Sequence, residues 1–137
     1  MAQRLTVSSG SEYEDIVGYS RAVRTGPYVA VAGTTGAGDG IATQAREALR
    51  RIEIALDQAG GSLADVVRTY VTDISLWQEV GAVHAEVFGE IRPVATMVEV
   101  SALISPELLV EIEVDAYLNA EDAQPVSGAN RPFESGR

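Results

Sequence analysis

The stretch Val110-Glu-Ile-Glu-Val-Asp-Ala116 alternates apolar and acidic residues without a break. Successive side chains of an extended strand point to opposite faces, so the apolar residues would share one face and the carboxylates the other. The segment 108–118 is therefore predicted to be a strand that is buried on one face. A layer of helices over that face is the arrangement that such a strand favours.

Two segments with helical periodicity predict the helices of the second layer. Residues 42–59 carry apolar side chains at helical spacing, which predicts an amphipathic helix that ends at Gly60 and Gly61. A second helix is predicted over residues 75–89. Ser75 and Gln78 have the spacing of a capping box, so Ser75 is expected to be the N-cap of that helix.

The remaining apolar segments predict strands. They cover residues 5–7, 19–24, 28–32, 65–74 and 94–100. Gly26 and Pro27 are typical turn residues, so the second and third of these strands are predicted to form a hairpin. The order is β-β-β-α-β-α-β-β, a two-layer α+β fold of one mixed sheet and two helices. One domain is expected over residues 1–118, followed by a polar C-terminal tail over residues 119–137.

The second face of this sheet also carries apolar and aromatic residues, which predicts that the domain self-associates. The formal net charge of −10 disfavours nucleic-acid binding, because a phosphate backbone would be repelled. The chain has no cysteine, which excludes disulfides and a cysteine nucleophile. No apolar run approaches the roughly 20 residues of a membrane span, and Met1 to Gly10 lacks the apolar core of a secretory signal. We therefore expect a cytoplasmic protein without membrane contact.

Two local patterns look like ligand sites but are better explained as structure. The segment Gly33 to Gly40 is rich in glycine yet lacks the Gly-Lys-Ser/Thr ending of a phosphate-binding loop, so a flexible connection between strand and helix is predicted. A cluster of acidic residues has no spacing typical of a cation site, and no metal site is predicted. Its members are Glu99, Glu111, Glu113 and Asp115.

Three segments resemble the Rid family (reactive intermediate deaminase, YjgF-like). They are residues 19–33, residues 65–74, and the pair Arg92-Pro-Val-Ala-Thr-Met-Val-Glu-Val100 and Val110-Glu-Ile-Glu-Val-Asp-Ala116. The Pro-x-x-x-x-Val-Glu-Val and Val-Glu-Ile-Glu strings are the most specific. The resemblance runs in order over residues 15–118.

This resemblance implies a chorismate-mutase-like fold and a homotrimer with small-molecule clefts between its subunits. It also implies hydrolysis of reactive imines and enamines without a cofactor or a metal. Glu111 matches the family's glutamate, which positions or activates water, and Tyr19 matches its tyrosine; both are predicted to be catalytic. Gly33 matches a glycine near which backbone groups contact the ligand.

The family's substrate-binding arginine has no counterpart, because Ala95 occupies its position. An alanine cannot grip a carboxylate with paired hydrogen bonds, so the ligand at this position is expected to differ. Arg21, Arg24 and Arg92 are the cationic candidates to replace it, and Arg21 is included in the predicted ligand site. His84, the single histidine, is also included, since helices of neighbouring subunits border the cleft in this family.

Two functions follow from these residues. The protein could be an enzyme that adds water to, or protonates, a small imine, enamine or related reactive metabolite. Alternatively, the same clefts could bind a metabolite without turnover, as in sensing or sequestration. Glu111 and Tyr19 favour the enzyme, whereas the loss of the arginine at Ala95 favours the binding protein.

Overall fold

A computed structural model describes residues 4–119. The strands are β1 (Arg4–Val7), β2 (Ala22–Thr25), β3 (Tyr28–Thr34), β4 (Val66–Val71), β5 (Val94–Glu99) and β6 (Val110–Tyr117). The helices are α1 (Glu12–Val17), α2 (Ile41–Gln58) and α3 (Trp77–Phe88), with a 3-10 turn at Ile74–Leu76. The strands form one mixed sheet in the order β1-β2-β3-β6-β4-β5, in which only the β4–β5 pair is parallel. The predicted α+β class is confirmed.

The core lies between one face of the sheet and the helices α2 and α3. Strand β6 occupies the centre, and its apolar residues alternate into the core as predicted: Val110, Ile112, Val114 and Ala116 are each at most 2% exposed. Ile52 of α2 and Val83 of α3 are buried in the same cluster. Burying each such aliphatic side chain contributes about 1.5–3 kcal/mol, so this layer accounts for most of the driving force for folding.

Helix α1 was not predicted. Its N-cap Ser11 accepts a hydrogen bond from the Tyr13 amide, and Gly18 ends the helix in the left-handed region at φ 88°. Its apolar residues Ile16 and Val17 are 73% and 68% exposed, so the helix has no buried stripe to produce a helical period in the sequence.

Two predicted boundaries were wrong. Residues 19–21 precede β2, which begins at Ala22. Arg21 already exchanges backbone hydrogen bonds with Val7 and Ala32, so the chain joins the sheet at this point after the left-handed turn at Gly18. Ser75 is not the N-cap of the second helix. Asp73 caps the 3-10 turn by accepting from the Ser75 amide, and α3 begins two residues later, at Trp77.

The predicted tail lies outside the described residues, apart from Asn119. Among residues 4–119, no helix is long and apolar enough to cross a membrane.

Candidate functional site

A bulge in β3 brings Gly33 against Glu111. Val31 pairs with Val114 of β6, but the next pair is Thr34 with Ile112, so β3 contains one residue more than its partner at this point. The extra residue turns Thr34 into the core and leaves Gly33 beside the Glu111 side chain. A Cβ added to Gly33 would lie 2.3 Å from Oε2 of Glu111, which leaves room for no other residue type with the carboxyl in this position. Bulges commonly re-aim a strand beside functional sites.

The carboxyl of Glu111 is poised for proton transfer. It accepts no hydrogen bond from any residue in the described part of the chain. Its pKa is raised, first by burial and then by the negative charge of Glu113, while the positive charge of Arg21 opposes the shift. A carboxylate with a raised pKa is a stronger base than an exposed one and loses little solvation when it takes up a proton.

Arg21 is fixed beside this carboxyl by its own loop and strand β3. Its Nη1 donates to the Gly33 carbonyl at 2.9 Å and to Oγ1 of Thr34 at 3.0 Å. Its Nη2 donates to the Tyr19 hydroxyl at 3.1 Å, and the guanidinium carbon lies 5.5 Å from the centre of the Tyr19 ring. The bulge therefore organises Gly33, Glu111 and Arg21 together.

Tyr19 is placed by the turn that ends α1. The amides of Gly18 and Tyr19 both donate to the Glu14 carbonyl, at 2.9 and 3.1 Å. The buried Glu14 side chain accepts from the Ser9 amide and hydroxyl, and hydrogen bonding to Ser9 lowers its pKa. Because the Tyr19 hydroxyl accepts from Arg21, its own O–H remains available to donate to a ligand.

These groups open into a cavity of about 900 Å³. That volume is in the range of small-molecule sites. Its walls come from β1 and α1, from α2, and from the segment before β6; they include Ser9, Tyr13, Thr34, Arg51, Ile54, Ile104 and Leu108. The sequence assigned a ligand role to none of these wall residues, because they meet only through the sheet topology.

Of the predicted site residues, the structure brings Tyr19, Arg21, Gly33 and Glu111 to this cavity. Ala95 does not line it within one chain. Ala95 pairs with Val67 on the edge strand β5 and shares the helix-facing side of the sheet. Ala95 is exposed there. Its role in ligand binding stays a prediction that requires a second subunit.

His84 also lies outside the cavity of its own chain. Its ring packs on Phe88 with centroids 4.7 Å apart, and its buried Nε2 has no hydrogen-bond partner among residues 4–119. Burial lowers the pKa of His84, so the ring is held neutral. This environment describes a packed helix residue, and a role in a cleft shared between chains stays a prediction.

The glycine-rich segment connects β3 to α2, as predicted. It was expected to be flexible, but it packs closely against α2. A Cβ on Gly36 would lie 2.7 Å from the Gln44 carbonyl, so glycine is needed for the close approach to α2. The Gln44 side chain fixes the segment by hydrogen bonds. It donates to the carbonyls of Gly38 and Glu107 and accepts from the Leu109 amide. Within residues 4–119, no three acidic or histidine side chains lie together as a metal site would require.

Fold and site together define a small two-layer α+β protein with a polar cavity of small-molecule size. Residues 10–118 match the family model described as Endoribonuclease L-PSP. The chain belongs to this family, the YjgF or Rid family, and the resemblance read from its motifs is confirmed.

Related sequences and solved structures support the same family membership. A crystal structure of Rv2704 from Mycobacterium tuberculosis, a member of the YjgF/YER057c/UK114 family, shares 70% identity and a TM-score of 0.83 over 85% of this chain and 100% of that one. A RutC family protein of Pyrococcus horikoshii is 38% identical over 110 residues, 72% of this chain and 86% of the relative. The 3-aminoacrylate deaminase RutC of Acinetobacter baylyi is 37% identical over 79 residues, 56% of this chain and 62% of that enzyme.

Proposed function

We propose that this protein hydrolyses a small imine, including the imine tautomer of an enamine, with Glu111 as the acid/base group. The observation that carries the proposal is the carboxyl of Glu111 at the wall of a cavity of small-molecule size. It has no hydrogen-bond partner in the described part of the chain, and burial raises its pKa. The likeness to an enzyme named 3-aminoacrylate deaminase supports the same chemistry. The direct test is whether the protein accelerates the release of ammonia and a carbonyl product from an imine generated in solution.

The reaction requires one proton shuttle. The Glu111 carboxylate takes a proton from water as the water oxygen bonds to the imine carbon, and the resulting carboxylic acid returns that proton to the nitrogen, giving a carbinolamine. In the second half, the carboxylate takes the hydroxyl proton and delivers it to the same nitrogen. The C–N bond then breaks, ammonia leaves, and the carbonyl forms with Glu111 ionised again.

The neighbouring groups fit this assignment. The free O–H of Tyr19 can donate to the oxygen that adds to the carbon, and the absence of a side chain at Gly33 leaves the Glu111 carboxyl in reach of the cavity. Binding without turnover is the alternative. It is favoured by the alanine at position 95, where the family has its substrate-binding arginine. The two functions differ in whether product accumulates beyond the concentration of protein.

We expect the protein to be a homotrimer. The sheet face opposite the helices leaves Val94 and Val98 of β5 68% and 43% exposed, and Trp77 at the start of α3 is 53% exposed. Such apolar area on one chain favours burial in an interface. Light scattering should give about three times the chain mass of 14.5 kDa, whereas a stable monomer at micromolar concentration would contradict the assembly.

We also expect no binding to RNA, although the family model carries the name of an endoribonuclease. The formal net charge of −10 repels a phosphate backbone. Fluorescence anisotropy of a labelled single-stranded RNA should stay unchanged at micromolar protein and about 150 mM salt, where nonspecific affinity is already weak. Salt-sensitive binding would show that local cations outweigh the net charge.

A further inference from the structure

We propose that Arg21 binds the carboxylate of the substrate, so that this chain supplies from its own cavity the cation that Ala95 lacks. The substrate class is then a small 2-imino acid and the product a 2-keto acid. This inference rests on the proposed function for the reacting group. Its own content, a carboxylate site at Arg21, concerns binding and is measured without turnover.

The guanidinium of Arg21 is held rigidly at the cavity wall. The Gly33 carbonyl, Thr34 Oγ1 and the Tyr19 hydroxyl accept from it at 2.9, 3.0 and 3.1 Å. These acceptors are uncharged. The charge of Arg21 also acts on the nearby carboxyls of Glu111 and Glu14, but neither of them accepts a hydrogen bond from it among residues 4–119. A side chain fixed in advance loses less entropy when a ligand binds.

Arg21 also has donors to spare. Gly33 and Thr34 use Nη1 and Tyr19 uses one hydrogen of Nη2, which leaves the Nε–H and one further Nη2–H without an acceptor in residues 4–119. The same pair of nitrogens binds a carboxylate elsewhere in this chain. Arg46 donates from Nε and Nη2 to the two oxygens of Glu86, at 3.1 and 2.8 Å. A substrate carboxylate is therefore a suitable partner for the free donors of Arg21.

The other candidate cations are already engaged. Arg24 is 4% exposed and donates to the carbonyls of Gly26 and Ala59, away from the cavity. Arg92 has a left-handed backbone at φ 57° and donates to the Gly89 carbonyl. Arg51 does line the cavity, but it donates to Glu47 at 3.1 Å. Among the arginines of the described cavity wall, Arg21 is thus the one that donates no hydrogen bond to a carboxylate.

The position of Arg21 next to Glu111 suits the proposed reaction. In a 2-imino acid the carboxylate is bonded directly to the imine carbon. A carboxylate on Arg21 would therefore hold the reacting carbon near the Glu111 carboxyl, whose pKa already responds to the Arg21 charge. Holding reactants in one geometry is a major source of rate acceleration.

The test compares pyruvate with methyl pyruvate, which differ chiefly in the negative charge, by calorimetry or ligand-observed NMR on the intact protein. We expect the parent to bind pyruvate more tightly than the ester. Arg21→Gln should weaken pyruvate about ten- to a hundredfold, the range of a charge-assisted hydrogen-bond pair, and leave the ester nearly unchanged. Arg46→Gln, which removes an exposed arginine outside the cavity, should keep the parent ratio.

The ratio of the two affinities separates charge recognition from structural damage, because a disturbed cavity would weaken both ligands together. Arg21→Lys, which keeps the charge, should retain part of the preference and provides the measurement if Arg21→Gln does not fold. Equal binding of acid and ester by the parent, or an unchanged ratio in Arg21→Gln, would overturn the inference. Either result would leave the proposed hydrolysis standing if Glu111→Gln abolishes turnover. A changed ratio together with full turnover in Glu111→Gln would instead remove the proposed function and keep the carboxylate site.

Discussion

Replacing Glu111 with glutamine is expected to lower kcat/KM for imine hydrolysis by about two to four orders of magnitude, the usual contribution of a general acid/base. Glutamine is nearly isosteric but cannot take a proton at neutral pH. Because the carboxyl has no hydrogen-bond partner in the described structure, no structural bond is lost with it. The measurement is the rate of keto-acid release when the imine is generated in the assay. Parent-like turnover by Glu111→Gln would rule out the proton shuttle.

The pH dependence provides a second readout. The reaction needs ionised Glu111, and the pKa of this carboxyl lies above its usual value of 4.5. The kcat/KM of the parent should therefore rise with pH and reach half its maximum above pH 4.5. In Glu111→Gln the residual kcat/KM should no longer show this rise with pH. Glu113→Gln is a matched control, since it removes a charge that raises the pKa of Glu111 and should move the midpoint to lower pH without abolishing turnover.

Stability gives the control for folding. A carboxyl whose pKa is raised in the folded state favours folding fully only below its unfolded pKa, and this contribution is lost as the pH rises through the folded pKa. Ionised Glu111 therefore opposes folding at neutral pH. Glu111→Gln should have an equal or higher Tm than the parent at pH 7, and the difference should shrink below about pH 4.5. A lower Tm at pH 7 would indicate that the variant is damaged.

The sheet and the large helices could be predicted because burial imposes a period on the sequence. Strand β6 alternates strictly, and α2 carries a continuous apolar stripe. Helix α1 could not be predicted, because Ile16 and Val17 are exposed and its ends depend on the polar residues Ser11 and Gly18. Local polar contacts fix a short element without leaving a period.

The candidate site was predictable only in part. Glu111, Tyr19 and Gly33 stand in motifs, so the sequence identified them before their proximity was known. The bulge between Val31 and Thr34 leaves no signal of its own, yet it decides which face Gly33 occupies. The contacts of Arg21 with Gly33 and Thr34 join residues 12 and 13 positions apart in the sequence. No local sequence pattern predicts contacts over that separation.

Gly33→Ala is expected to fold normally and to lower kcat/KM by about a hundredfold. The added Cβ would lie 2.3 Å from Oε2 and 2.9 Å from Cδ of Glu111, so one of the two must move. The Gly33 carbonyl accepts from Arg21 and the next residue, Thr34, pairs with Ile112 of β6. The Glu111 carboxyl is the free end of a flexible side chain, so we expect the carboxyl to move. Moving a reacting group by about 1 Å typically costs two orders of magnitude in rate.

The cause can be isolated by a double-mutant cycle with Glu111→Asp. Aspartate is one methylene shorter, so its carboxyl leaves space for the Cβ at position 33, and Gly33→Ala should cost much less in that background than in the parent. Gly61→Ala is the matched control, because it adds the same methyl group 3.0 Å from Leu118 and outside the cavity, and its kcat/KM should stay near that of the parent. An equal cost of Gly33→Ala in both backgrounds would mean that the methyl group obstructs the substrate itself. Gly33 would then act as a contact surface for the ligand and not as the space that Glu111 occupies.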